Sequence, residues 1–371
     1  NKGILYRCVE RSGEFAGRDG RPSHPAMTSV FGGDWKTNKW FWYAVTGLLF
    51  AGLLYLADIG EFLMALRQVD PAVFAVAVAV GFSSLLVWAW VWHRFFGQLS
   101  IQSTTSRTVR MFLTGQFLNS ITPLGQFGGE PVMAYIVSET TGADYERSLA
   151  SVVSSDIINA VPFFTLTLGG IAYLAAFGTL EEFFVEVGAV AAFVLAVGGG
   201  VAYLLWSANG ALGARLVGLI DWIEAVVGRG GGVFDSIRGS IHEVVEAFET
   251  AGSNPRFLLW TAIVSHLAIV AQIVSLYFVF RAMGIVPQFI PIYFLVTLST
   301  IATLSPTPGG SGTYEAAFSA LMGIFYAVDL ATALTAAVLF RLTTYWPGLV
   351  VGYLSLFTLR TDREEITEEL D

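Results

Sequence analysis

The chain carries a single cysteine, Cys8, among 371 residues. No intrachain disulfide can form, and no cysteine-based metal site. Charge is scarce: Asp, Glu, Lys and Arg make up 13%, against about 25% in an average soluble chain. Lysine is confined to Lys2, Lys36 and Lys39. These shortages exclude an ordinary soluble enzyme, a disordered chain and a disulfide scaffold. What is abundant is apolar surface, with 54% hydrophobic residues and a mean hydropathy of +0.64. That is the composition of a polytopic membrane protein. A net charge of −9 does not favour nucleic acid as a partner. An acidic, lysine-poor surface also fits a halophile, although a GC-rich genome gives the same bias from Lys to Arg.

Residues 1–35 read as a polar, disordered tail, and residues 361–371 as a solvated acidic tail. The acids Glu10, Glu14 and Asp19 argue against a transit segment at the start. Between the tails lies a membrane domain, residues 36–360.

Uncharged runs locate its helices, since a span needs about 20 apolar residues. Six runs qualify: Trp40–Ala57, Pro71–Trp92, Ile157–Leu180, Val187–Ser207, Phe257–Phe280 and Leu330–Leu359. The third is expected to start near Ser148 and to take in Asp156, and the last contains Arg341. Two further apolar regions, Met111–Ser138 and Ala282–Val328, are broken in the middle. The first break is Thr122-Pro123-Leu124-Gly125-Gln126-Phe127-Gly128-Gly129-Glu130-Pro131, and the second Ser305-Pro306-Thr307-Pro308-Gly309-Gly310-Ser311-Gly312. Proline removes a helical donor and glycine loosens the backbone. Non-helical backbone at membrane depth is tolerated only inside protein or beside a wet cavity. Both regions therefore read as re-entrant helix–loop–helix hairpins, giving an all-α protein of six spans plus two hairpins.

Basic residues set the orientation. With both termini in the cytoplasm and both hairpins returning to their starting side, twelve basic residues fall inside, counting from Lys36. Only Arg67 and Arg281 fall outside. The expected location is the cytoplasmic membrane.

The two broken regions match at a constant offset of 185 residues, from Glu130 to Glu315. Ser120, Thr122, Pro123, Gly125 and Glu130 recur as Ser305, Thr307, Pro308, Gly310 and Glu315. Asp144, Leu149, Val153 and Pro162 recur as Asp329, Leu334, Val338 and Pro347. The halves, about 40–180 and 187–359, enter the membrane from opposite sides, so the repeat is an inverted one. Transporters use this plan, with the site where the paired broken helices meet. Between the halves, residues 208–256 show apolar residues at helical spacing, in two stretches around Gly228–Gly232. They read as amphipathic helices at the cytoplasmic interface or docked on the bundle.

The stretch from Leu118-Asn119-Ser120 through Gly129-Glu130-Pro131 resembles a hallmark of the lysylphosphatidylglycerol synthase transmembrane-region family. Thr307-Pro308-Gly309-Gly310-Ser311-Gly312-Thr313-Tyr314-Glu315 resembles its second signature, Pro-Gly-Gly-x-Gly-x-x-Glu, and Arg341 fits an arginine usual in the last span. The resemblance covers about residues 36–360 and has a haloarchaeal flavour. It implies a flippase-like membrane protein. Two arginines common in the family are replaced here: Gln126 stands in the first motif, and Ser154-Ser155 precede Asp156. The soluble domain that bifunctional members use for aminoacyl transfer is not expected, so lysylphosphatidylglycerol synthase activity is disfavoured.

Four ionisable groups lie within apolar runs: Glu130, Asp156, Glu315 and Arg341. Such groups are costly in a membrane and usually face the interior or a wet cavity. Asp156 and Arg341 each follow their hairpin glutamate by 26 residues and have opposite signs. They read either as a lipid-phosphate site or as a structural ion pair. Glu130 and Glu315 read as helix-start carboxylates or as a proton- or cation-coupled pair. His266 reads as a hydrogen-bonded core histidine or a proton relay. The substrate-site set is completed by Asn119, Thr307, Gly128, Gly129, Gly309 and Gly310, whose paired amides could cradle a phosphate. Pro123, Gly125, Pro306, Pro308 and Gly312 are assigned to hairpin shape.

The expected function is translocation of a phospholipid or a polyprenyl- or dolichyl-phosphate-linked lipid. The alternative is a non-transporting scaffold for a lipid- or glycan-modifying enzyme. No P-loop lysine, Ser-His-Asp arrangement or metal-ligand spacing stands out, so neither enzymatic activity nor a cofactor or metal is expected.

Overall fold

The computed structural model describes residues 35–121, 129–177, 182–206, 231–305 and 307–368. The expected N-terminal tail, Pro123, Gly125, Gln126, Gly128, Pro306 and the first amphipathic stretch lie outside the described residues. Helices account for the regular structure: α1 (Trp35–Leu56), α2 (Ile59–Arg67), α3 (Pro71–Gln98), α4 (Thr105–Ile121), α5 (Glu130–Thr141), α6 (Tyr145–Phe177), α7 (Glu182–Trp206), α8 (Gly231–Gly252), α9 (Pro255–Ala282), α10 (Phe289–Ser299), α11 (Thr313–Tyr326) and α12 (Leu330–Glu368). Two 3₁₀ turns, Thr300–Leu304 and Pro308–Gly310, join α10 to α11.

Among the described residues, five helices, α3, α6, α7, α9 and α12, are long and apolar enough to cross a membrane. A sixth span is possible if α1 and α2 act together, but the chain bends there by 83°. The bend has a local cause: the Asp58 carboxylate accepts the Gly60 amide at 2.8 Å and starts a new helix. The expected first run, Trp40–Ala57, lies within α1 up to Leu56, and the bend falls at its expected end.

α3 and α9 form the centre and start alike. Asp70 accepts the amides of Ala72 and Val73 at 2.9 and 3.1 Å, with Pro71 in the first turn. Asn254 accepts the Phe257 amide at 3.1 Å, with Pro255 following. A capping side chain followed by proline uses the amides a helix leaves free. The two helices run antiparallel. The Asp70 amide donates to Ala282 O at 2.9 Å at one end. At the other end Gln98 Nε2 donates to Thr250 O and Ser253 Oγ, just before α9.

The apolar core divides between these ends. One cluster gathers Phe280 of α9, Phe294 of α10, Phe318 of α11 and Phe340 of α12. The other gathers Phe95 and Phe96 of α3, Met111 of α4, Met133 of α5 and Phe257 of α9. In a bilayer, close packing rather than transfer from water holds such clusters together, and exposed aliphatic and aromatic residues on α7 and α9 face outward.

The helix contacts come in matched pairs. α4 packs on α12 and α10 on α6; α5 packs on α6 and α11 on α12. α3 packs on both α6 and α12, and so does α9. Of the second amphipathic stretch, Ala247, Phe248 and Ala251 are buried against the bundle. α8 is therefore docked on α6 and α7 along that face.

Candidate functional site

Glu130 and Glu315, which correspond at the 185-residue offset, each stand at the start of a helix, and the structure gives them different surroundings. Glu130 is the first residue of α5 and Glu315 lies in the first turn of α11.

Around Glu315 the site is sealed. Its Oε2 accepts the Gly312 amide at 2.6 Å, so the carboxylate ties off the start of α11. Its Oε1 lies 3.4 Å from Nη1 of Arg341, one helix away on α12. Arg341 Nη2 donates to the Gly309 carbonyl at 2.8 Å. The guanidinium lies over the Tyr345 ring, with Cζ 3.7 Å from the centroid, and 5.0 Å from that of Tyr314. Arg341 is 3% exposed and Glu315 5%. A buried charge of this kind needs a counter-charge and donors or acceptors around it. The loop, the carboxylate and the aromatic face together supply them.

The loop itself is braced by hydroxyls. Ser305 Oγ lies 2.8 Å from Thr307 Oγ1 and 2.6 Å from Thr313 Oγ1, and Thr313 donates to the carbonyl of Gly310 at 2.9 Å. Gly310 holds φ +67°, and a Cβ there would stand 2.7 Å from Thr303 Cα. Only glycine combines that backbone with that closeness. Gly310 does not offer its amide to a phosphate, because it already donates to Thr307 O at 2.9 Å. Of the expected Gly309-Gly310 pair, Gly310 uses its amide within the turn, and Gly309 gives its carbonyl to Arg341.

Glu130 and Asp156 are half-buried, and residues 122–128 ahead of Glu130 lie outside the described residues. Glu130 and Asp156 line a cleft of about 480 Å³ with Leu149, Val153 and Ile157 of α6. Trp92 Nε1 donates to Asp156 Oδ1 at 3.3 Å. Asp156 therefore sits with Glu130 and Trp92. Of the two readings of Asp156 and Arg341, the direct ion pair is not what the structure forms: the ion pair Arg341 makes among the described residues is with Glu315. The reason is local. In each half the residue 26 positions after the hairpin glutamate packs against that glutamate's own helix, through the α5–α6 and α11–α12 contacts. Gly129 precedes α5 with an ordinary φ of −77°, and Asn119 is partly buried on α4. His266 is hydrogen-bonded on both sides, Nδ1 to Ala262 O at 2.7 Å and Nε2 to Thr165 Oγ1 at 2.9 Å.

Sequence reasoning missed the aromatic partners Tyr345, Tyr314 and Trp92. A signal existed for two of them: Tyr345 stands one turn from Arg341, and Tyr314 directly precedes Glu315.

Apolar helices long enough to cross a membrane, with interrupted charge-bearing segments between them, define a multi-pass membrane protein. The sequence profile described as lysylphosphatidylglycerol synthase TM region matches residues 43–352, and the chain belongs to that family. It is 26% identical to a UPF0104 membrane protein of Methanothermobacter thermautotrophicus over 82% of this chain and 91% of that one. It is likewise 26% identical to a UPF0104 membrane protein of Pyrococcus horikoshii, over 82% and 92%. A Haloferax volcanii protein named glycosyltransferase AglD is 26% identical over 88% of this chain, which spans 55% of that protein. No solved structure matches the chain.

Proposed function

We propose that the protein moves a phosphate-bearing lipid, a phospholipid or an isoprenoid-linked phosphate, across the cytoplasmic membrane without chemical change. One observation carries this reading. Equivalent positions in the two halves differ in burial, with Glu130 and Asp156 half-buried along a cleft of about 480 Å³ and Glu315 and Arg341 fully buried. An inverted repeat that alternates access requires such an inequality at any instant.

The packing supports two re-entrant hairpins of opposite entry. α10, with 11 residues, rises only about 16 Å, half of a hydrocarbon core of about 30 Å. The second hairpin packs in the cluster at the C-terminal end of α9, and the first in the cluster at its N-terminal end. The matched contact pairs have the form two inverted halves would give. In this reading both termini are cytoplasmic.

A second reading makes the chain the membrane partner of a glycan- or lipid-modifying enzyme. It is favoured by the Haloferax relative, in which the matched region is about half of a protein named as a glycosyltransferase.

The two readings separate in proteoliposomes holding fluorescent phosphatidylglycerol or a fluorescent isoprenyl phosphate. Transport predicts faster access of dithionite to inner-leaflet lipid than in protein-free vesicles. Equal rates with both lipids would leave the partner reading.

A further inference from the structure

Arg341 is buried with more donors than acceptors. Its Nη2 reaches Gly309 O at 2.8 Å. Its Nη1 makes no hydrogen bond, although the residue is 3% exposed. The 3.4 Å approach of Glu315 Oε1 is an ion pair outside hydrogen-bond geometry. The other carboxylate oxygen is held at 2.6 Å by the Gly312 amide, so Glu315 cannot turn both oxygens to the guanidinium. A guanidinium presents a planar fork that matches an anionic oxyacid. Here one tine of that fork is unfilled. Ser319, one turn beyond Glu315 on α11, also has a buried hydroxyl without a hydrogen-bond partner.

We infer that Arg341 is the subsite for the phosphoryl group of the transported lipid, and that Glu315 is the counter-ion this group replaces. A phosphoryl oxygen on Nη1 completes the fork and displaces Oε1, while Oε2 keeps the Gly312 amide and the start of α11 stays capped. Gly309 O and the Tyr345 ring hold the guanidinium in place through the exchange. The sealed station is then the unloaded form of a phosphate site. Phosphoester is the chemistry recognised; a lipid head group and free phosphate both carry it. The inference rests on the transport reading.

The test is equilibrium binding to the purified full-length protein in detergent, with dihexanoyl phosphatidylglycerol, farnesyl phosphate and inorganic phosphate as separate probes. Thermal unfolding accompanies each variant. Glu315→Gln keeps an oxygen for the Gly312 amide and removes the competing charge, so it should bind a lipid probe about tenfold more tightly than wild type, about 1.4 kcal/mol. Arg341→Gln should lose that binding, and Arg341→Lys should retain a weakened form. A folded Glu315→Gln variant that binds no lipid probe more tightly than wild type overturns the inference. So does a folded Arg341→Gln variant with unchanged binding. Inorganic phosphate binding as tightly as the lipid probes would show a free-anion site and overturn the lipid assignment. Transport, measured on the same preparations, fails or succeeds independently. Wild-type protein that moves no lipid sinks the transport reading, whereas lipid movement without strengthened Glu315→Gln binding sinks only this one.

Discussion

Arg341 lies face-on to Tyr345, one helical turn further along α12, with its Cζ 3.7 Å from the ring centroid. The contact places a fixed cation against the loop that separates α10 from α11. Tyr345 also packs against Gly309, whose carbonyl accepts from the same arginine. One aromatic residue thus shapes the loop and shields the charge.

A desolvated cation–π contact is worth up to about 2 kcal/mol. Tyr345→Leu should therefore lower unfolding stability in detergent by about 1–2 kcal/mol. Tyr345→Phe, which keeps the ring, should lose much less. Equal losses would show that the hydroxyl, and not the ring face, matters.

The charge pairing can be read by double-mutant cycles. Arg341→Gln and Glu315→Gln should couple by about 0.5–3 kcal/mol in unfolding free energy, as contacting charges do. Arg341→Gln and Asp156→Asn should add within about 0.5 kcal/mol. A charge swap between positions 156 and 341 should not rescue the single variants. Rescue would mean that the two residues do pair.

Gly310 and Gly129 both lie just ahead of a helix with a glutamate in its first turn, but should respond differently. Gly310→Ala puts a Cβ at φ +67° beside the Thr303 backbone, which should destabilise by about 1–3 kcal/mol. Gly129→Ala meets an ordinary φ of −77°, and backbone conformation alone should cost it little. Thermal unfolding of the two variants measures the difference.

Asp329 caps α12 from the loop before it. Its carboxylate accepts the Thr332 amide and hydroxyl, each at 2.8 Å. The Thr332 amide is the main reason its pKa lies below the ordinary 3.8. A carboxylate lowered in the folded state stabilises fully above its unfolded value and loses that contribution as pH falls through the folded value. Asp329→Ala should therefore lower the melting temperature at neutral pH, with the gap to wild type closing below about pH 3.8. A gap that stays constant into acid would contradict the cap.

Composition and uncharged runs made the helical membrane architecture legible, and the Pro/Gly breaks located the second interrupted helix. Asp156, Glu130, Glu315 and Arg341 were legible as costly charges in apolar surroundings. Their partners were not. An offset of 185 residues relates Asp156 to Arg341 as equivalents, and equivalents in a repeat sit in different halves. Contact instead follows adjacency, so each charge meets the glutamate of its own hairpin. Asp58 marked the end of the first run in the sequence, but not that its carboxylate would start a second short helix at an angle to the first. Tyr345 stood one turn from Arg341 in the sequence, but its residue type alone does not say that its ring face covers the cation.

The central claim is that the two halves present equivalent stations by turns. It is tested most directly by side-specific labelling at Leu149 and its counterpart Leu334. Leu149 lines the cleft, whereas Leu334 is fully buried. In proteoliposomes, with Cys8→Ser as background, a membrane-impermeant maleimide should label Leu149→Cys from one face only. Leu334→Cys should label from the opposite face, and only when a phosphate-bearing lipid is present and moving. Labelling of both positions from the same face, or no labelling of Leu334→Cys while lipid moves, would contradict the account.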